Sequence, residues 1–155
     1  MYSVLFVCTG NQFRSPIAAE VFREQLTRNG LIENWNVGSA GTWATSGRQV
    51  IPEAVRLARS CGVSIDGHRT RMISTEILEE ADLIMVMEQG HKESLQVEFP
   101  FARKKVHLLS QVLDGLVYDI PDPANAREEA KSIIFDLVTS MRSGYKNICQ
   151  IAEKI

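Results

Sequence analysis

Val4-Leu5-Phe6-Val7-Cys8-Thr9-Gly10-Asn11-Gln12-Phe13-Arg14-Ser15-Pro16 is the stretch on which the reading of this chain turns. Ser3 to Val7 is an apolar, β-branched run bounded by a glycine-containing loop, the pattern of a buried strand. Ser15-Pro16 reads as a helix start, with Ser15 as the N-cap and Pro16 at the first helical position, where its missing N–H is not needed. Ile17, Ala18, Val21, Phe22, Gln25 and Leu26 follow at helical spacing, and Asn29-Gly30 supplies the stop. The stretch is therefore a strand, a tight loop and a helix in direct succession.

Cys8 and Arg14 bracket the loop Thr9-Gly10-Asn11-Gln12-Phe13. A short strand-to-helix loop can aim its backbone N–H groups at one centre. The helix behind adds its own unpaired N–H groups and the positive end of its dipole. Thr9, Gly10, Asn11, Gln12, Phe13 and Ser15 are thus candidate phosphate-binding residues. Arg14 can clamp two phosphate oxygens in a planar fork, which a lysine cannot do. In the same field a thiol is more readily ionised, and thiolate is the nucleophilic form. The Ser15 hydroxyl is placed to donate to that sulfur. A buried structural cysteine before an ordinary helix start is the plainer reading of Cys8. The company of Gly10, Asn11, Arg14, Ser15 and Pro16 in one turn favours the phosphate site.

Working outward, Asn36 to Ala40 reads as a second strand running into a loop at residues 41–47. Pro52 to Cys61 has helical periodicity, and Ser74 caps a short helix to Glu80. Asp82 to Met87 is a third strand, followed by a helix over 89–97 and a fourth strand over 106–109. Residues 117–125 carry two prolines and form a loop. A long terminal helix spans 126–154, with Gly144 as an internal weak point. Alternating strands and helices predict an α/β fold with a parallel sheet covered on both faces. Ligands bind such sheets beyond the carboxyl ends of the strands, where the Cys8 loop falls.

Composition narrows the function classes. With 155 residues, the chain reads as one domain over 1–155. Its net charge of −2, with no basic run longer than Arg103-Lys104-Lys105, argues against nucleic-acid binding. Three cysteines, Cys8, Cys61 and Cys149, are too few and too odd for a disulfide framework, and point to a reducing compartment. Val4 to Val7 is far too short for a signal peptide or a span. The expectation is a cytoplasmic protein with no membrane insertion.

A phosphate ester needs a proton on its leaving oxygen. The candidate donor is Asp122 in Ile120-Pro121-Asp122-Pro123, held on a loop stiffened by proline on both sides. Asp119 is its competitor, and an ordinary Asp-Pro turn is the alternative reading.

Taken together, these segments resemble the low-molecular-weight protein tyrosine phosphatases. The resemblance runs from Val4–Pro16 through Ser39-Ala40-Gly41-Thr42, Gly67-His68-Arg69-Thr70-Arg71 and Asp82-Leu83-Ile84-Met85-Val86-Met87 to Asp119-Ile120-Pro121-Asp122-Pro123. It implies a phosphatase I-like fold, a four-stranded parallel sheet in a three-layer α/β/α sandwich. It implies two-step hydrolysis with no metal or cofactor: Cys8 attacks phosphorus, Asp122 protonates the leaving group and then activates water, and Arg14 holds the phosphoryl oxygens. Asn11, Ser39 and His68 are implied to brace the loop. The implied partner is a phosphorylated protein, with phosphotyrosine first, and inorganic phosphate or another oxyanion in the loop.

The chain departs from the family pattern inside and beside the loop. Many members carry a second cysteine where this chain has Phe13. Tyrosine-directed members place an aromatic residue soon after the Asp-Pro pair, where Ala124 and Asn125 stand here. Trp43 is then a candidate pocket wall, or a partly buried packing residue with equal weight. Gln12, a polar rim residue, suits a substrate other than phosphotyrosine. Alternatives are a protein arginine phosphatase, an arsenate reductase and a phosphate-binding module without catalysis. Arsenate reduction needs a cysteine relay, and residues 62–148 contain no cysteine. A binding module needs neither nucleophile nor acid.

Overall fold

The computed structural model describes residues 1–155. β1 (Tyr2–Cys8) is followed by α1 (Arg14–Arg28), β2 (Trp35–Gly41), α2 (Pro52–Ser60), α3 (Thr75–Glu80) and β3 (Leu83–Val86). Then come α4 (Gln89–Glu98), β4 (Val106–Leu108), α5 (Leu109–Asp114) and α6 (Ala130–Glu153), with short 3-10 turns between them. The strands form one parallel sheet in the order β2-β1-β3-β4. This is the four-stranded parallel α/β architecture that the sequence predicts.

Alternation along β1 divides the core. Val4, Phe6 and Cys8 face a cluster built with α1, α2, α5 and α6, where Phe22 packs edge-on against Phe6 and Trp35. Leu5 and Val7 face a second cluster that takes Leu78 from α3, Leu95 from α4, and Ala102. Each face of the sheet thus buries its own apolar layer, which is the main source of stability in such a sandwich. The chain leaves β1 for β2 on one side and later returns for β3 on the other, so β1 lies at the switch point. The crevice beyond its carboxyl end is where the topology leaves room for a ligand. No helix is long and apolar enough to cross a membrane.

Several expectations need correction. Ser15 does not cap α1. The helix begins at Arg14, Phe13 holds the N-cap position with no side-chain cap bond, and Ser15 lies buried in the first turn. Its hydroxyl is committed to Asn11 and Cys8 instead of a helix N–H. The terminal helix starts at Ala130 and not at 126, because 3-10 turns occupy Pro123–Asn125 and Arg127–Glu129. The fourth strand ends at Leu108, and Leu109 opens α5, a helix the sequence reading lacked. Gly144 is not a weak point but a close approach: a Cβ there would sit 2.9 Å from the Leu113 carbonyl oxygen of α5. Ser74 does cap α3, its hydroxyl accepting from the Ile77 N–H.

Candidate active site

The loop between β1 and α1 leaves its donors unspent. The backbone N–H groups of residues 9–15 give no hydrogen bond to any protein acceptor. Buried or half-buried amides without partners are unfavourable unless an anion or water takes them. Here they are consecutive, wrap one turn, and run into the positive end of α1.

Asn11 fixes the turn. Its φ is 58°, the left-handed region that asparagine tolerates better than most residues. Its side chain is fully used. Nδ2 donates to Ser15 Oγ at 2.8 Å and Ser39 Oγ at 3.0 Å, and Oδ1 accepts from the Arg71 N–H at 2.9 Å. Its carbonyl accepts from His68 Nε2 at 3.0 Å. That contact puts the His68 hydrogen on Nε2. Burial holds His68 below the ordinary histidine range, partly opposed by the bond to Asn11.

The Cys8 sulfur lies 2.9 Å from Ser15 Oγ. Because Asn11 Nδ2 already donates into that oxygen, the hydroxyl hydrogen is directed to the sulfur in preference to the more distant Ala40 carbonyl at 3.4 Å. The segment after β2 is zipped onto the same loop: Thr42 N–H donates to Cys8 O and Trp43 N–H to Thr9 O. Gly41 makes this approach possible, since a Cβ there would run into the Thr9 carbonyl oxygen.

Arg14 is almost wholly buried. Its Nη1 donates to Glu88 Oε2 and to the Ile120 carbonyl, both at 2.7 Å. Its Nη2 lies 3.5 Å from Thr9 Oγ1 and 3.5 Å from Asp122 Oδ2. A guanidinium out of water needs such partners, and here they also orient its plane. The Asp122 loop is pinned by Ile120 N–H to Met87 O, and Asp122 Oδ1 accepts from the Ala124 N–H. Asp119 is placed differently. Its Oδ1 accepts from the Gln89 N–H at 2.8 Å, at the start of α4. The two aspartates thus have different partners: one lies beside the arginine, the other accepts from a helix end.

The remaining candidates fall on the rim or in the core. Trp43 is 83% exposed, so the packing reading of that residue is wrong, and its backbone bond sets it next to Thr9. Ala124 is exposed beside Asp122. Gln12 is not a free rim group: its Oε1 accepts from the Ile51 N–H at the start of α2. The Phe13 ring is buried in the core cluster that Cys8 also joins. Cys8, Cys61 and Cys149 are all free thiols.

Two residues of this neighbourhood escaped the sequence reading. Glu88 bonds Arg14, and buried His91 places Nε2 2.9 Å from Thr9 Oγ1. Both follow β3, whose Val86 pairs with Val7 of β1, so the β3 end opens into the same crevice. The rule that sites gather at neighbouring strand ends was the available signal.

Comparison with known proteins places this arrangement. The chain matches over residues 3–154 the family model described as low molecular weight phosphotyrosine protein phosphatase. It is 32% identical over 136 residues to the low molecular weight protein-tyrosine-phosphatase Etp of Escherichia coli K12, covering 88% of this chain and 86% of that protein. It is 35% identical over 120 residues to the protein-arginine-phosphatase of Bacillus subtilis strain 168, covering 77% and 78%. The structure of the low molecular weight protein tyrosine phosphatase from T. tengcongensis superposes with a TM-score of 0.83 at 31% identity, over 97% of this chain and 99% of that one. With a strand-end cysteine, a loop of unspent amides and a buried arginine, the chain belongs to the low molecular weight phosphotyrosine protein phosphatase family.

Proposed function

We propose that the protein hydrolyses phosphate monoesters on proteins, phosphotyrosine first, through a phosphocysteine on Cys8. The observation that carries this reading is the unspent run of N–H groups at residues 9–15, which surrounds the loop that begins at the Cys8 sulfur and ends at Arg14. The sulfur attacks phosphorus as the ester oxygen departs. Asp122 gives that oxygen its proton, then takes one from the water that splits the thiophosphate and releases inorganic phosphate. Arg14 and the loop amides are preorganised for the charge on the equatorial oxygens, which is the largest electrostatic contribution to such a step. Ser15 donates to the sulfur when it bears charge, as nucleophile and again as leaving group. Asn11, Ser39 and His68 hold the loop's shape, and Trp43 and Ala124 line the approach. The whole chain acts as one domain in this reading, in a reducing, cytoplasmic setting.

The relative of Bacillus subtilis named a protein-arginine-phosphatase supports phosphoarginine as a second substrate. Asp119, Asp122 and Glu88 gather around His91 beside Arg14, and their carboxylates suit a cationic leaving group. Turnover of p-nitrophenyl phosphate that is abolished in Cys8→Ser tests the enzyme reading against a binding module. Parallel assays on phosphotyrosine, phosphoarginine and phosphoserine peptides then assign the substrate. Faster turnover of phosphoarginine would overturn the tyrosine assignment. Arsenate-dependent oxidation of thioredoxin would replace the hydrolase reading with a reductase.

A further inference from the structure

His91 is the one histidine buried against the phosphate loop on the Arg14 side, and the proposed reaction leaves it unused. It sits in the first turn of α4, is 7% exposed, and points Nε2 at Thr9 Oγ1 across 2.9 Å. Glu88 Oε2 lies 3.7 Å from the same nitrogen. Its other ring nitrogen, Nδ1, is buried and has no hydrogen-bond partner.

These contacts choose a tautomer. A hydrogen on Nδ1 would be a buried N–H with no acceptor, which folded proteins seldom retain, whereas a bare ring nitrogen is the milder omission. A hydrogen on Nε2 has the Thr9 hydroxyl as its acceptor, with the Glu88 carboxylate as a favourable charge 3.7 Å away. The doubly protonated ring would bury the same orphan N–H and add a charge close to the Arg14 guanidinium. The charged groups facing the ring are Glu88, Arg14, Asp119 and Asp122. Burial is the strongest influence and holds His91 below the ordinary histidine range, with Arg14 acting in the same sense and the three carboxylates against it.

The consequence passes to Thr9. Its hydroxyl oxygen faces two N–H donors, His91 Nε2 at 2.9 Å and Arg14 Nη2 at 3.5 Å. With both lone pairs engaged, its own hydrogen turns away from them and is available to an oxyanion on the loop. The Arg14 fork needs this support on one side only. Its Nη1 is clamped at 2.7 Å by two acceptors, whereas its Nη2 has only contacts at 3.5 Å.

We propose that His91 is a positioning residue for phosphoryl transfer: the neutral ring, with its hydrogen on Nε2, donates to Thr9 Oγ1 and thereby fixes both the Thr9 hydroxyl and the loosely held Nη2 of Arg14. The proposal rests on the phosphatase reading above for its kinetic consequence. Arg14 matters most in the transition state, so a looser fork reduces kcat more than it raises KM.

The test has a spectroscopic and a kinetic arm. Nitrogen-15 spectra of the wild-type imidazole at pH 7.5 are expected to show a neutral ring with its hydrogen on Nε2. A hydrogen on Nδ1, or a charged ring, overturns the proposal whether or not the protein turns over any ester. With p-nitrophenyl phosphate, His91→Ala is expected to lower kcat about tenfold or more, with KM within about threefold. His91→Gln, whose amide N–H reaches toward the same point as Nε2–H, is expected to restore most of it. In a Thr9→Val background, where the receiving hydroxyl is gone, His91→Ala should cost less than about twofold further. Equal losses in the alanine and glutamine variants, full additivity with Thr9→Val, or a lowered melting temperature with unchanged kcat would each overturn it. An inactive wild-type enzyme would defeat the phosphatase reading, and the tautomer measurement would still decide the state of His91.

Discussion

On the Asn11 flank of the loop every brace is a neutral hydrogen bond: Ser15, Ser39, the Arg71 N–H and His68 all meet one asparagine. On the Arg14 flank carboxylates join the neutral partners Ile120 O and Thr9 Oγ1: Glu88 at 2.7 Å and Asp122 at 3.5 Å. The difference follows from what each flank must do. The Asn11 flank holds a backbone at φ 58°, a fixed shape that neutral bonds can specify without an ion to desolvate. The Arg14 flank must keep a cation buried and still release it toward an incoming phosphoryl group. Carboxylates that offset its charge in the resting state are the natural partners.

The charged flank carries the larger effects. Asp122→Ala is expected to slow hydrolysis of an alkyl or peptide phosphate by about 10²–10⁴, the usual worth of a general acid. p-Nitrophenyl phosphate, whose leaving group needs less protonation, should lose much less. Asp119→Ala should show no such dependence on the leaving group, since Asp119 is occupied by the Gln89 N–H. Parallel kinetics of the two variants on both esters decide the matter. Equal losses for good and poor leaving groups would make Asp122 a loop-shaping residue and merge the two aspartates. Next in size, Arg14→Lys keeps the charge and removes the fork. A drop in kcat/KM of about 10²–10³ is expected. Retained activity would mean that charge alone defines this flank.

The neutral flank should show itself in stability first. Asn11→Ala removes the side chain that favours the left-handed turn and strands the Ser39 hydroxyl and the Arg71 N–H. A loss of about 2–4 kcal/mol is expected from unmet polar groups and backbone strain. Equilibrium denaturation in urea measures it. The neutral-brace picture also requires that this loss be insensitive to salt, because no ion pair is involved. A salt-dependent loss would collapse the distinction between the flanks.

The sequence disclosed the two flanks unequally, and geometry explains why. Cys8, Asn11, Arg14 and Ser15 lie in one continuous turn, so spacing alone could group them. The unbroken apolar run of Val4 to Cys8 announced a buried strand, and the structure places its residues in two cores. Glu88 and His91 reach the loop only through the pairing of Val7 with Val86, a register that no local pattern reveals. Helix α5 escaped because it is six residues long, directly follows β4, and is closed by Gly115 at φ 77°, too short a window for periodicity. Ser15 misled for the opposite reason. Its local preference for an N-cap was overridden by two tertiary partners, Asn11 and the Cys8 sulfur. Gly144 looked like a flaw in a helix because the carbonyl that requires it, on Leu113, is distant in sequence.

The smallest expected effect joins the flanks, because each holds a histidine in its neutral form. His68, His91 and His107 all titrate below the ordinary range near 6.5, chiefly because burial disfavours their charged forms. The unfolded chain, with ordinary histidines, therefore takes up protons more readily than the folded one. Stability is full above about pH 6.5 and falls as pH drops from there toward the folded values, by no more than about 1.4 kcal/mol per pH unit for each group. The urea midpoint should accordingly be lower at pH 5.5 than at pH 7.5. His68→Gln can keep an N–H for the Asn11 carbonyl while removing one titration, so it should flatten the profile with little effect at pH 7.5. An unchanged slope in that variant would assign the pH dependence to His107 and to His91, the latter lying among Glu88, Asp119, Asp122 and Arg14 on the charged flank.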